Sequence, residues 1–265
     1  MAKSLLIRLR GRCLQTPVHT WRHPVTGRTV TLAGTMHIGE TGYYATLQHL
    51  IATLEASGAL VQYEAITKAT EEEWATATDE ERAAIKALFD DRKLLESILG
   101  RYGWVSQHAL PYQEHWVNVD LTDLELVRLI GPENIPAMGL TAQDGDLGAP
   151  LMAILFRALA WDRLGLLRYL IRRDEGRRQF ENVVVNHRNT VAGQGLFSTD
   201  PGRDVVLIWG ADHLTGIGGL LRQAGFRHTG TQWLNAGHLP PLLSSVRELR
   251  VALAAFSERT TRNPP

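Results

Sequence analysis

Two stretches carry the residues best suited to chemistry. "TVTLAGTMHIGE" (29–40) and "VVLIWGADHLTG" (205–216) each run from apolar, largely β-branched residues into a glycine and then, three positions on, a histidine: Gly34 with His37, and Gly210 with His213. A bare Gly-x-x-His is weak evidence, because 24 glycines and 10 histidines in 265 residues supply about one by chance. A third occurrence, Gly225 with His228, has no buried run before it and is read as that chance case. The first two share a setting. In each, the glycine lets the chain leave a strand tightly and another group come close, and the histidine falls where strand hands over to helix. In a parallel α/β sheet that is the carboxyl edge, where ligands are bound.

The same argument collects two carboxylates. "ALVQYE" ends on Glu64 and "WVNVD" on Asp120, so four ionisable side chains stand at the ends of four apolar runs. Two imidazoles and a carboxylate suit a divalent transition metal, which would lower the pKa of bound water and polarise a carbonyl. On that reading His37 and His213 are metal ligands and Glu64 is third ligand or general base. The metal-free alternative makes one histidine the base, held in its tautomer by Glu64 or Asp120. Asp212, beside His213, is a candidate for orienting a neighbouring ligand. Arg188, in "FENVVVNHRNTVAG", lies four after Val184 and three before Val191, which in a helix puts it on the apolar face. Such an arginine either pairs with a site carboxylate or substrate oxyanion, or snorkels to water. His187 and Asn189 beside it read as helix surface.

The elements that must position these residues follow from periodicity and turn chemistry. "TPVHTWRH" and "RTVTLAGT" flank "PVTG" as an N-terminal β-hairpin, whose second arm continues into the first histidine motif. Tyr44, Leu47, Leu50, Ile51 and Leu54 have helical spacing and Gly58 is a stop, so 29–64 forms a strand–helix–strand unit with neighbouring parallel strands. Thr70 and either Thr78 or Asp79 are candidate N-caps for helices over 70–100. A helix follows Asp120, a Gly/Asp-rich loop spans 139–150, and 150–196 is helical. The second strand–helix unit covers 203–235, including an edge strand in "RHTGTQWLNA", and an amphipathic helix closes the chain. The expected fold is a single α/β domain over 1–265: a mainly parallel central sheet flanked by helices, with the hairpin and a helical insertion.

Composition bounds the partners. Lys plus Arg equals Asp plus Glu at 28 each, which argues against nucleic acid or an anionic membrane. No run reaches the eighteen or so apolar residues of a membrane span. The start offers only three consecutive apolar residues before arginines, and the single cysteine, Cys13, has no disulfide partner. A cytoplasmic protein acting on a small molecule or peptide is expected, with a homodimer open.

"GTMH" after a β-run, "VQYE", "HRN" on a late helix and "WGADHLTGIGGLL" together resemble the TraB/GumN family, grouped with the Tiki proteases and more distantly with erythromycin esterase and the haem-binding ChaN proteins. The resemblance spans residues 29–225 and matches His37, Glu64, Arg188 and His213. It implies an esterase/ChaN-like α/β fold with the histidines and glutamate facing one cleft. It also implies metal-dependent peptide cleavage, as in the Tiki branch, or lactone opening, as in the esterase branch. With the metal chemistry above, hydrolysis of an ester, lactone or peptide bond is expected, with manganese, cobalt or zinc as the ion. Asp120 rests on its strand-end position alone. The other class of function open to the same cleft is non-catalytic binding of haem, peptide or a small molecule, or a regulatory role.

Overall fold

A computed structural model describes residues 7–135, 145–161 and 179–262. Its sheet centre is built on short stretches dominated by apolar and β-branched residues. β3 (Thr29–Thr35), β5 (Leu60–Tyr63) and β8 (Val205–Gly210) are almost wholly buried, because helices cover both faces. On β8, Val206 and Ile208 join a core with Tyr44, Leu47 and Ile51 of α1 (Thr41–Ala56). Val205, Leu207 and Trp209 point the other way, onto α6 (Arg188–Ser198) and α7 (Leu214–Gln223) through Ala192, Leu196, Ile217 and Leu221.

The sheet is mixed, with a parallel centre. β3, β8, β5 and β7 (Val117–Asn118) lie side by side and parallel, so the chain after each strand emerges on one edge. β2 (Cys13–Arg22) returns antiparallel beside β3, forming the expected hairpin with Gly27 at φ +76° in the connection. β9 (Arg227–His238) pairs along the other side of β2. β1 (Arg8–Arg10) folds back on the start of β2 and was not foreseen.

Two further differences bear on the site. His37 does not lead straight into a helix: β4 (Ile38–Glu40) intervenes and pairs with β6 (Trp104–Ser106), neither of them expected. The loop expected over 139–150 gives way at Gly145, where α5 (Gly145–Trp161) begins and carries Pro150 inside it. Packing overrides the breakers there: a β-carbon on Gly148 would lie 2.8 Å from Ile98, so the glycine lets α5 approach α3 (Asp79–Gly100) closely. Thr70, Thr78 and Thr122 each close a capping box at the start of α2 (Glu71–Ala75), α3 and α4 (Asp123–Ile130). The remainder of the expected helical run, 162–178, lies outside the described residues. The last described element is α8 (Leu242–Arg262), packed on α5. No helix among the described residues is long and apolar enough to cross a membrane.

The first motif glycine is fixed by packing. A β-carbon on Gly34 would sit 2.6 Å from the Pro17 carbonyl oxygen and 2.9 Å from Leu214 Cδ2. Gly34→Ala is therefore expected to cost about 1–3 kcal/mol in denaturant unfolding, as overpacking does in tight cores. A loss below about 0.5 kcal/mol would show that β2 yields freely.

Candidate active site

Glu64 stands one residue past β5, where its N–H donates to the Ile208 carbonyl (2.9 Å) and holds it against the end of β8. Its carboxylate lies over Gly210: Oε2 accepts the Gly210 N–H, and a β-carbon there would be only 3.1 Å from Oε2. The glycine is what lets the acid sit on the strand end. Oε1 accepts from Arg188 Nη2 at 2.6 Å. Asp120 lies just beyond β7 and takes Arg188 in a two-point grip, Nε to Oδ1 at 2.9 Å and Nη2 to Oδ2 at 2.6 Å. Among the described residues Nη1 has no hydrogen-bond partner.

All three side chains are at most 5% exposed, so the guanidinium replaces the water both carboxylates have lost. Burial alone would raise the Glu64 carboxyl; Arg188, then His37, His213 and the Gly210 N–H, more than offset it and bring the pKa down to about 2. Burial works against the Arg188 charge too, but Glu64 and Asp120 outweigh it and raise its pKa. Glu64 is thus a settled anion and a poor base, which narrows its expected role. The inward face read for Arg188 is correct. It is delivered by a π-helical turn, Asn182–His187, immediately before α6.

His213 completes the cluster from a single 3-10 turn after Gly210. It is buried, its Nδ1 lies 2.9 Å from Asn189 Oδ1, and its Nε2 faces Glu64 Oε1 at 3.8 Å. The edge of Trp209 abuts its ring at a centroid distance of 5.8 Å. Burial lowers the His213 pKa against the opposing pull of Glu64, so the imidazole is neutral at pH 7. Asn189, read as helix surface, is buried and is the residue that orients His213. Asp212 is exposed and does not. His187 is exposed, as expected.

His37 is exposed at the same sheet edge, near enough to act on Glu64 electrostatically. The loop that carries it is held by two tyrosines of α1: Tyr43 donates to the Gly34 carbonyl (3.1 Å) and Tyr44 to that of Met36 (2.9 Å). Gln107, buried and unforeseen, donates its N–H to the His37 carbonyl (2.7 Å). Its Oε1 lies 3.1 Å from His37 Nδ1, and its Nε2 donates to Tyr112 (2.7 Å). Both histidines therefore meet a carboxamide oxygen at Nδ1. With the amides assigned in these orientations, each Nδ1 donates its proton to the carboxamide oxygen, and the neutral His213 presents its Nε2 lone pair.

For a metal, the fit is partial. His213 Nε2 and Glu64 Oε1 are two donors at 3.8 Å, against roughly 3.4 Å between neighbours around a tetrahedral ion with bonds near 2.1 Å. Both Glu64 oxygens are already engaged by Arg188 and Gly210, and no three His, Cys, Asp or Glu among the described residues are grouped to hold an ion. The expected trio of His37, Glu64 and His213 is not assembled as a closed seat. No protein-family model matches the chain, and neither does any curated protein.

Proposed function

We propose that the chain hydrolyses an ester, lactone or peptide bond at the edge where β3, β5 and β8 end. The observation that carries this reading is His213: a neutral imidazole anchored at Nδ1 by Asn189, with its Nε2 lone pair 3.8 Å from a carboxylate that stays ionised. A water held between those two acceptors gives one proton to Nε2 as it attacks a carbonyl, and His213 returns that proton to the leaving group. Glu64 stabilises the imidazolium so formed. Arg188 fixes both carboxylates and offers Nη1 to the developing oxyanion. His37, at the open end, meets the substrate. The order of these residues along the chain also underlies the resemblance to the TraB/GumN family.

One feature favours a second reading. Glu64 and Asp120 carry two negative charges against one positive on Arg188, so the cluster with neutral His213 is one negative charge in excess. A divalent manganese, cobalt or zinc ion on His213, His37 and Glu64 would supply a Lewis acid there.

The deciding experiment screens p-nitrophenyl esters, lactones and short peptides with chelator and with each metal, alongside metal analysis of the purified protein. Chelator-resistant turnover lost in His213→Ala supports the histidine base. About one retained ion per chain, lost in both His37→Ala and His213→Ala, supports the metal. No turnover, with thermal stabilisation by haem, peptide or a small molecule, would overturn both and leave a binding module.

A further inference from the structure

The third Gly-x-x-His, dismissed by chance statistics, lands at a second cluster. β9 pairs with β2 in antiparallel register, His19 opposite Thr231, but the register slips between Thr20 and Trp21, so that Trp21 faces His228 and Thr229 is the extra residue. Without that bulge His228 would sit opposite Arg22 and point to the other face of the sheet; with it, His19, Trp21, Thr231 and His228 share one face. The result is a triangle of donors. His19 Nδ1 is 2.9 Å from Thr231 Oγ1, His228 Nε2 is 3.0 Å from the same oxygen, and the two nitrogens are 3.3 Å apart.

The two sides through Thr231 are met by an ordinary relay, one ring N–H donating to Oγ1 and the hydroxyl donating to the other ring nitrogen, which leaves the third side, between the ring nitrogens, without a proton of its own. A cation held by both ring nitrogens would take the place of that relay. Two imidazole nitrogens bound at about 2.05 Å in a tetrahedral site lie roughly 3.3 Å apart, which is the spacing present here.

We infer that His19 Nδ1 and His228 Nε2, assisted by Thr231 Oγ1, bind a divalent late transition metal on the β2–β9 face, independently of the cleft. His228 is exposed and gives the ion access; His19 is buried and preset. Burial, with the neighbouring His228, holds the His19 pKa down to about 4, so this ligand is neutral at pH 7. Arg222 lies beyond Trp21 with its guanidinium 5.7 Å from that ring. Nitrogen donors without a carboxylate rank copper above nickel and zinc and leave calcium and magnesium unbound. The bound ion would staple the edge strand β9 to β2.

The test titrates the full chain with Cu²⁺ and Zn²⁺ by calorimetry, and follows thermal unfolding and tryptophan emission, since the Trp21 and His228 rings are 5.3 Å apart. His228→Ala changes an exposed side chain and should fold normally by circular dichroism. The wild type is expected to bind one equivalent that raises Tm and, for Cu²⁺, quenches part of the emission. In His228→Ala that equivalent should weaken at least about tenfold, with a smaller loss in Thr231→Val, while His37→Ala keeps it. Unchanged affinity in His228→Ala, or no saturable equivalent in the wild type, would overturn the assignment. Should His228→Ala misfold, His228→Gln carries the same expectation. Any second equivalent lost with His213 belongs to the cleft and leaves this result intact.

Discussion

Arg188→Met is expected to destabilise the fold by about 3–5 kcal/mol, the range found when one partner of a buried ion pair is removed. The size comes from what is left behind. Glu64 and Asp120 lose the guanidinium that bonds both, while each remains walled from water. Restoring neutrality should recover part of the loss, so Arg188→Met with Glu64→Gln and Asp120→Asn is expected to be more stable than Arg188→Met alone. Arg188→Lys keeps the charge but not the two-point grip, and falls between.

The same variant reverses the pH dependence. In the wild type the Glu64 carboxyl lies at about 2 against an ordinary 4.5, a folded-state pKa below the unfolded one. That stabilisation is complete above pH 4.5 and is lost as pH falls toward 2. Without Arg188, burial dominates and lifts the Glu64 pKa above its unfolded value. Stability is then present at low pH and lost as pH rises through the raised pKa. Urea unfolding between pH 4 and pH 7 should show Arg188→Met gaining stability on acidification relative to the wild type. In the wild type Glu64 contributes no change above pH 4.5, while the depressed His19 and His213 lower stability as pH falls below 6.5. Parallel profiles would refute the ion-pair account.

The edge that carries the charged cluster was readable because a parallel sheet turns sequence order into position. β3, β5 and β8 are largely buried on both faces and therefore appear as short, mostly apolar stretches, and whatever follows such a stretch emerges at one edge. That logic placed Glu64, Asp120 and His213 together, and helical spacing placed Arg188 inward. It could not find Gln107 or Asn189. Gln107 sits in a 3-10 turn of three residues, too short for any periodicity, and is recognisable only once β4 and β6 bring it under His37. Asn189 was read as surface from its place beside Arg188, yet both residues are buried where the π-helical turn runs into α6. β4 and β6 themselves are three residues each, below the length at which alternation can be read. His228 was misjudged for a related reason: its neighbours depend on a bulge, and a one-residue slip moves a side chain to the opposite face.

His213→Ala should remove the proton acceptor and lower kcat by about 10²–10⁴, the usual yield of a positioned general base. The fold should tolerate it better than the loss of Arg188, because a neutral ring leaves no charge stranded; its cost is the packing against Trp209. Asn189→Leu makes a sharper test. It leaves the imidazole in place but removes the carboxamide oxygen 2.9 Å from Nδ1, so the ring is free to turn and to shift its proton to Nε2, which silences the base. Positioning of this kind predicts a fall in kcat of about 10-fold or more with KM little changed, since an interaction realised only in the transition state is what has gone. Gln107 offers the contrast. Gln107→Leu frees His37 at the exposed edge, where substrate arrives, and should raise KM more than it lowers kcat. Added imidazole should restore part of the His213→Ala activity and none of the Arg188→Met activity. Equal KM and kcat changes across Asn189→Leu and Gln107→Leu would deny the two histidines their separate tasks.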